Sequence, residues 1–433
     1  MEGQFSKYVI PSMLTMILAG FYGIVDGFFI GQVMGDDGLA AINIAWPLLS
    51  LISSVGIGIG TGGAIIMSIK KGSGLLEEAK KAEGTTIVIL FIASVLATAI
   101  YLLFSPNLLR ILGADGILYE YGISYMKVIA WGAFFQIMGS GLTPILKNLG
   151  KPIFAMIIMI IGMFVNIFLD WAALYVFDWG LGGIAFATCA GQASVAVFAG
   201  IAVVKDKLVH RWYLMDRFLS KEILKIGASP FGLTMAPGVV IIFTNLQSLH
   251  YGGTAGVAVY TVMSYAAYMV YSLMQGLADG VQPIISFCKG AEDYMSLKHV
   301  MKKAFSLAGA ISIVLMTAAI LARYQFPIFY GVSHEVAKAS IPAMLSLALA
   351  IPFIGVARIM SAYFYAIDDG KNSSILVYAD PFVFTPLFLL ILPVFFDILG
   401  IWLAYPATQI ALTLLAVVLK RISNRKNAGI SIL

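Results

Sequence analysis

The sequence predicts an all-α integral membrane protein with twelve transmembrane helices in two six-helix lobes related by a parallel pseudo-twofold repeat. Three observations predict this fold class. Of the 433 residues, 60% are hydrophobic and only 11% are charged, which is about half the charged fraction of a soluble protein. Twelve apolar runs are each long enough to cross a bilayer. Matching residues recur between the two halves at an offset of 218–220 positions.

The twelve runs are predicted helices because each has about 20 or more mostly apolar residues, and backbone groups in hydrocarbon must be hydrogen-bonded within their own segment. They are too long and too continuously apolar for the alternating strands of a barrel. Their approximate bounds are 8–31, 40–69, 84–105, 121–146, 153–177, 181–204, 224–250, 256–287, 304–325, 339–366, 372–396 and 399–419. The long first run lacks a small-residue cleavage site, which favours a retained helix over a signal peptide.

Lysine and arginine are distributed unevenly between the two sides of this arrangement. An even number of spans places both termini on one side, and 22 of the 27 Lys and Arg residues fall on that side. Only Arg110, Arg323 and Lys338 fall on the other side, and Lys127 and Arg358 lie within runs. Because positive residues are retained on the cytoplasmic face, both termini are predicted to be cytoplasmic. Topology therefore accounts for the net charge of +5, and no nucleic-acid partner is expected.

The internal repeat joins residues of the same type at nearly constant spacing. The pairs are Gly58 with Gly276, Gly62 with Gly280, Ser68 with Ser286, Lys71 with Lys289, Gly72 with Gly290, Gly150–Lys151 with Gly370–Lys371, Pro11 with Pro230, Gly38 with Gly256 and Gly182 with Gly400. Six is an even number, so both halves run in the same direction through the membrane. Parallel repeats of this kind occur in secondary transporters, whose substrate sites lie near the bilayer midplane.

The repeat divides the chain into an N-terminal lobe, residues 1–204, and a C-terminal lobe, residues 224–433. The linker between them, residues 205–223, mixes basic residues with Trp212, Tyr213 and Leu214. This composition predicts an amphipathic helix on the cytoplasmic membrane surface, and a charged loop is the alternative.

Ionisable side chains inside the runs are functional candidates, because a charge at the bilayer centre costs about 2.5–3.5 kcal/mol on insertion scales. The acids are Asp26, Asp170, Asp279 and Asp380, and the clear intramembrane base is Arg358. Lys127 lies nearer the end of its run, where its ammonium group can reach water.

Asn166 and Asp170 are four residues apart and therefore share one helical face. Together with a second carboxylate and a hydroxyl, their oxygens would form an all-oxygen cage suited to Na⁺ or a hydrated proton carrier. Removal from water disfavours the charged carboxylate, so protonation of Asp26 or Asp170 would respond to pH. The alternative is that Asp170 pairs locally and Asn166 bonds the neighbouring backbone.

Catalytic and cofactor-binding patterns are absent from the sequence. The glycine-rich stretch GIGIGTGG at 56–63 lacks the Lys and Ser/Thr of a P-loop and lies inside an apolar run, where small residues permit close helix packing. The cysteines, Cys189 and Cys288, and the four histidines are scattered and give no disulfide or metal-ligand pattern. We therefore expect neither an enzyme nor a bound cofactor.

These features together resemble the multidrug and toxic compound extrusion (MATE) transporters. The motifs that carry the resemblance are VDGFFIG in the first run, NIFLD in the fifth, GGIAFAT in the sixth and QPIISFCKGA at the end of the eighth. The resemblance extends over nearly the whole chain. It implies a monomer in the plasma membrane of a bacterium or archaeon, whose two lobes form a V and export organic cations or amphiphilic drugs in exchange for H⁺ or Na⁺.

The family's cation-binding positions match Asp26, Asn166, Asp170 and Thr188 residue by residue. The resemblance implies that the coupling ion binds there, competes with the drug and drives alternating access. Candidate contacts for large apolar cations in the substrate cavity are Tyr22, Phe28, Phe135, Met138, Met263 and Tyr268. Ordinary core or lipid-facing packing is the alternative for each of them.

The C-terminal lobe departs from the NorM-type branch, which carries a Glu in the seventh helix where this chain has Asn245. The chain is therefore more similar to the DinF-like bacterial branch. A candidate polar cluster in this lobe consists of Asn245, Asp279, Arg358 and Asp380, and the alternative is that Asp380 pairs with Arg358 only to neutralise a buried charge.

Three other functions compete with export. A lipid-linked oligosaccharide flippase would need several cavity Arg or Lys residues, and the sequence offers only Arg358 and Lys127. An integral-membrane enzyme would need clustered His or carboxylate residues. A passive channel would not need the repeat or the buried acids.

Overall fold

The computed structural model is almost entirely helical and describes residues 2–205, 216–329 and 332–426. Within these residues no strand occurs, and the predicted all-α class is confirmed. The helices are α1 (Glu2–Gly72), α2 (Leu76–Ile111), α3 (Gly116–Asn148), α4 (Pro152–Tyr175), α5 (Gly180–Val204), α6 (Arg217–Gly290), α7 (Tyr294–Leu321), α8 (Gln325–Phe329), α9 (His334–Ala366), α10 (Gly370–Ala379), a π-helix (Asp380–Phe384) and α11 (Thr385–Lys426).

Nine helical segments in the described part of the chain are long and apolar enough to cross a membrane. Three stretches are too long for one crossing, namely α1, α6 and the 55 residues of Gly370–Asn424. The 71 residues of α1 and the 74 residues of α6 would each extend about 105–110 Å at 1.5 Å per residue, against a hydrocarbon core of about 30 Å. The backbone leaves the helical conformation at Gly253 in α6 and at Asp397 in α11. The predicted count of twelve therefore rests on counting each of these long stretches as two spans.

Large apolar side chains on α2 and α7 face outward. Leu103 is 72% exposed on α2, and Val314 and Leu321 are 66% and 70% exposed on α7. Surface of this kind is suited to lipid, because a helix satisfies its own backbone hydrogen bonds there.

The structure divides into two compact units. One unit comprises the segment Leu14–Met235, and the other comprises the residues up to Met13 together with those from Ala236 onward. The beginning of α1 thus belongs to the unit formed mainly by the second half, and the first part of α6 belongs to the unit formed by the first half. The lobe boundaries expected from the repeat, at residues 204 and 224, stay a prediction.

Glycines related by the repeat pack against these two helix beginnings in corresponding ways. A Cβ atom at Gly62 would lie 2.3 Å from the Ile223 carbonyl oxygen, inside the unit Leu14–Met235. A Cβ atom at its counterpart Gly280 would lie 2.6 Å from the Cα atom of Val9, inside the other unit. Both sites admit only glycine without a backbone shift, and close approach through small residues is a common way to pack helices in membranes.

The linker between the halves lies mostly outside the described residues, because residues 206–215 are not described. The amphipathic helix expected there therefore stays a prediction. Asp216 is the first described residue after this gap. Its carboxylate accepts hydrogen bonds from the N–H groups of Phe218 and Leu219 and pairs with Lys81 at 2.6 Å. The hydrogen bond from Lys81 holds the pKa of Asp216 below its usual value, so this anchor of α6 is present at neutral pH and is lost as pH falls through the folded pKa.

Candidate functional site

The candidate cation site lies in the unit Leu14–Met235, which carries all four of the predicted residues. Asp26 is on α1, Asn166 and Asp170 are on α4, and Thr188 is on α5. A tight turn with positive φ at Asp178 and Gly180 joins α4 to α5, so that α5 runs back beside α4. Asp and Gly are suited to that backbone conformation.

Close packing of α4 on α5 brings the polar side chains of the two helices together. A Cβ atom at Gly191 on α5 would lie 2.8 Å from the Gly162 carbonyl oxygen and 3.1 Å from the Cβ atom of Asn166. The absence of a side chain at Gly191 therefore lets Asn166 press directly against α5, one turn from Thr188. The NIFLD and GGIAFAT motifs thus supply the polar groups, and Gly162 and Gly191, which lie outside both motifs, allow their helices to pack closely.

Asp170 lies beside Asp26 and Asn166, and its side chain interacts with both. Asn166 and Asp170 are completely buried and Thr188 is 8% exposed, whereas Asp26 is half-buried. Two carboxyl groups at such close range do not both stay ionised unless a positive species neutralises one of them. The arrangement can therefore hold a proton or a small cation.

The polar atoms of this site do not satisfy one another fully. Both carboxyl oxygens of Asp170, both amide atoms of Asn166 and the hydroxyl of Thr188 are buried without a well-formed hydrogen bond to any other described residue. Buried polar atoms are normally hydrogen-bonded, and exceptions point to a missing water or ion. Oxygen atoms that converge without bonding one another are suited to a hard monovalent cation or to a hydrated proton.

Tyr125 on α3 is a further member of the site that the sequence alone did not indicate. Its side chain is 3% exposed, contacts Thr188 and lies within electrostatic range of both Asp26 and Asp170. A polar side chain within an apolar run was the available signal, but many of the 20 tyrosines give the same signal.

The polar cluster predicted in the C-terminal lobe is brought together in part. The Arg358 Nη2 atom lies 3.6 Å from Oδ2 of Asp380, and both lie within electrostatic range of Tyr271, as does Asp279. Asn245 is half-buried on α6, and its amide oxygen has no hydrogen-bond partner among the described residues.

The aromatic and methionine candidates for the substrate cavity lie in different environments. Met263 is 2% exposed and belongs to a hydrophobic core with Tyr260, Leu389 and Trp402. Phe135 and Tyr268 are 38% and 47% exposed, and Met138 is half-buried. The side chains of Tyr22 and Phe28 lie outside the described part of the structure.

Comparisons with known proteins agree with this architecture. The sequence profile of the MatE family matches residues 11–172 and 214–380. The multidrug export protein MepA of Staphylococcus aureus strain MRSA252 is 24% identical over 402 residues, which cover 91% of this chain and 88% of that protein. MepA of Staphylococcus saprophyticus is 24% identical over 393 residues, with 88% and 84% coverage.

Solved structures share the fold. A multidrug resistance MATE family transporter of the MOP superfamily, in an outward-facing conformation, has a TM-score of 0.92 at 23% identity and covers 98% of this chain and 96% of that chain. A MOP superfamily transporter from Pyrococcus furiosus, described with a binding pocket of reverse polarity, has a TM-score of 0.86 at 24% identity and the same coverage. Because the family profile matches most of the chain, the resemblance drawn from the motifs is confirmed, and the protein belongs to the MatE family of transporters.

Proposed function

We propose that the protein exports organic cations or amphiphilic drugs from the cell in exchange for H⁺ or Na⁺. The observation that carries the proposal is the close pair of Asp26 and Asp170, in which Asp170 is completely buried beside the equally buried Asn166. Family membership supports transport, and the names of the staphylococcal relatives support drug export.

The coupling follows from charge balance at the acid pair. When both carboxyl groups are deprotonated, the pair attracts a positive species, and an organic cation or the coupling ion can supply that charge. Binding of either one lowers the affinity for the other, because both neutralise the same charge. Such competition is what an exchange mechanism requires, since ion uptake from outside then releases the drug and alternating access returns the ion to the inside.

The test is efflux of a fluorescent cationic dye from proteoliposomes under an imposed pH gradient or Na⁺ gradient. We expect one of the two gradients to drive efflux and Asp170→Asn to reduce the gradient-driven rate at least tenfold, because the pair then keeps a single carboxyl group. Asp26→Asn should behave in the same way. Asp178→Asn is a matched control, because Asp178 lies in an exposed turn with φ of 52° that Asn also tolerates.

The result separates the proposal from its competitors. Gradient-driven efflux that survives in both Asp26→Asn and Asp170→Asn would contradict the role of the pair. Dye movement that is independent of both gradients would favour a channel or a flippase. The readout that identifies the driving gradient also identifies the coupling ion.

A further inference from the structure

The first turns of α6, residues 217–225, carry a row of basic side chains on their outer face. Arg217, Lys221 and Lys225 are all exposed. They are spaced four residues apart, so their side chains follow one another along one face of the helix. At 1.5 Å per residue, the three cations form a basic stripe about 12 Å long.

Two large apolar side chains flank the basic stripe, one on each side. Phe218 is 78% exposed and Leu224 is 51% exposed. At 3.6 residues per turn, Leu224 precedes the cations around the helix and Phe218 follows them. The exposed face of residues 217–225 therefore has charge in the middle and apolar surface at both edges.

The opposite face of these turns packs tightly against the protein. Ile223 and Ile226 are completely buried. A Cβ atom at Gly227 would lie 2.4 Å from the carbonyl oxygen of Gly58 on α1, and both glycines belong to the unit Leu14–Met235. This close contact fixes the rotation of α6 about its axis and keeps the basic stripe on the outside.

The positive charge of the basic stripe has no counter-charge within the described part of the protein. Cations of the α1–α2 connection do have acidic partners, because Lys70 pairs with Glu78 and Lys81 pairs with Asp216, each at 2.6 Å. The three cations of the stripe form no ion pair with a described residue, and neither does Glu222 on the same turns. Anions that balance the stripe therefore come from the surroundings of the protein.

The backbone N–H groups of the first helical turn are already bonded. The Asp216 carboxylate accepts hydrogen bonds from the N–H groups of Phe218 and Leu219, and the Asp216 carbonyl oxygen accepts one from the N–H group of Ser220. An anion at this surface is therefore held by the basic side chains and not by the helix terminus.

The sequence after the basic stripe determines its depth in the membrane. The stretch Arg217–Gly290 is apolar enough to cross a bilayer, and no Asp, Glu, Lys or Arg occurs between Lys225 and Asp279. Because charged side chains are costly in hydrocarbon, the helix enters the hydrocarbon core just after the stripe. The stripe then lies at the level of the lipid headgroups, on the side predicted to be cytoplasmic.

We propose that residues 217–225 form a binding surface for anionic phospholipids. The basic stripe contacts the lipid phosphate groups, and Phe218 and Leu224 insert beside it among the acyl chains. Basic side chains at the cytoplasmic membrane surface attract anionic lipids, and basic amphipathic helices combine this attraction with burial of apolar side chains at the interface. The surface is separate from the acid pair of the candidate cation site.

The test is native mass spectrometry of the purified full-length protein in detergent, titrated with phosphatidylglycerol or with phosphatidylcholine of the same acyl chains. We expect the unmodified protein to bind phosphatidylglycerol more tightly, because only this lipid carries a net negative charge. Arg217→Gln/Lys221→Gln/Lys225→Gln should weaken the first binding step of phosphatidylglycerol by about tenfold or more, because the three cations attract only the anionic headgroup. Its binding of phosphatidylcholine should stay unchanged, which also shows that the variant is folded. Arg217→Lys keeps the charge and should bind both lipids as the unmodified protein does.

Arg110→Gln/Arg323→Gln/Lys338→Gln is the matched control, because it removes the same charge from the side predicted to be external, where the three cations are far apart in the sequence. Its affinity for phosphatidylglycerol should equal that of the unmodified protein. An unchanged affinity in the stripe variant would overturn the proposal, as would equal affinities of the unmodified protein for the two lipids. An equal loss in the control would also overturn it, since only net charge would then matter. Neither a drug nor an ion gradient is used, so the result does not depend on the export hypothesis.

Discussion

Tyr125 shows why a buried site is only partly predictable from residues. Asp26, Asn166 and Asp170 could be identified because a carboxylate or amide within an apolar run is rare and costly. A tyrosine in the same position is common, because its ring packs well in an apolar environment and only its hydroxyl needs a partner. Thr188, whose side chain lies beside Tyr125, is 63 positions away in the sequence, and only the fold brings the two side chains together.

Tyr125→Phe is predicted to weaken ion coupling without destroying the site. The ring still fills the buried position on α3, and only the hydroxyl that contacts Thr188 is removed. We expect the apparent affinity for the coupling ion to fall by about threefold to tenfold, because the site loses one polar group and a single polar contact contributes about 1 kcal/mol. The measurement is the dependence of dye efflux on pH or Na⁺ concentration.

Thr188→Ser and Thr188→Val provide the matching comparison. The serine variant keeps the hydroxyl and should retain coupling, whereas the valine variant should behave like Tyr125→Phe. An unchanged ion dependence in both Tyr125→Phe and Thr188→Val would show that this contact only stabilises the packing of α3 on α5.

At the scale of helices, hydrophobicity predicted where segments lie better than how they pack. The runs expected at 153–177 and 181–204 closely match α4 (Pro152–Tyr175) and α5 (Gly180–Val204). The joint at Asp397 falls between the runs expected at 372–396 and 399–419, whereas the short helix α8 and the π-helix were not expected. An apolar run indicates that a segment leaves water, but it contains little information about breaks that depend on contacts with other helices.

The repeat-related glycines lead to a prediction about stability. Gly62→Ala and Gly280→Ala each place a methyl group 2.3–2.6 Å from backbone atoms of the opposing helix, so the helices must separate. Overpacking of this kind costs about 1–3 kcal/mol. We expect both variants to lower the thermal unfolding midpoint of the protein in detergent. Equal stability of these variants and the unmodified protein would show that the two helix contacts accommodate a methyl group without loss of stability.

Gly309→Ala is the matched control. Gly309 lies within α7, and a Cβ atom there would meet no atom within 4 Å. Alanine favours a helix over glycine by about 0.5–1 kcal/mol, so this variant should be as stable as the unmodified protein or slightly more stable.

At the scale of the whole molecule, the exchange of helix beginnings is the feature that sequence could not supply. The offset between halves predicted equivalent segments, and the structure places the residues up to Met13 with the second half and Arg217 to Met235 with the first. Hydropathy does not distinguish the two assignments, because the same residues are apolar in both. Packing distances at Gly62 and Gly280 do distinguish them, and they depend on tertiary structure.

The orientation of the molecule in the membrane is predicted by charge and can be measured directly. Because 22 of the 27 Lys and Arg residues lie on the side of the termini, the connection between α1 and α2 should be cytoplasmic and the connection between α2 and α3 external. In a Cys189→Ala/Cys288→Ala background, Leu112→Cys should react with a membrane-impermeant maleimide in intact cells. Ser73→Cys should react only after permeabilisation. The reverse labelling pattern would place the termini outside the cell. An export protein in that orientation would need an ion gradient directed opposite to the one proposed.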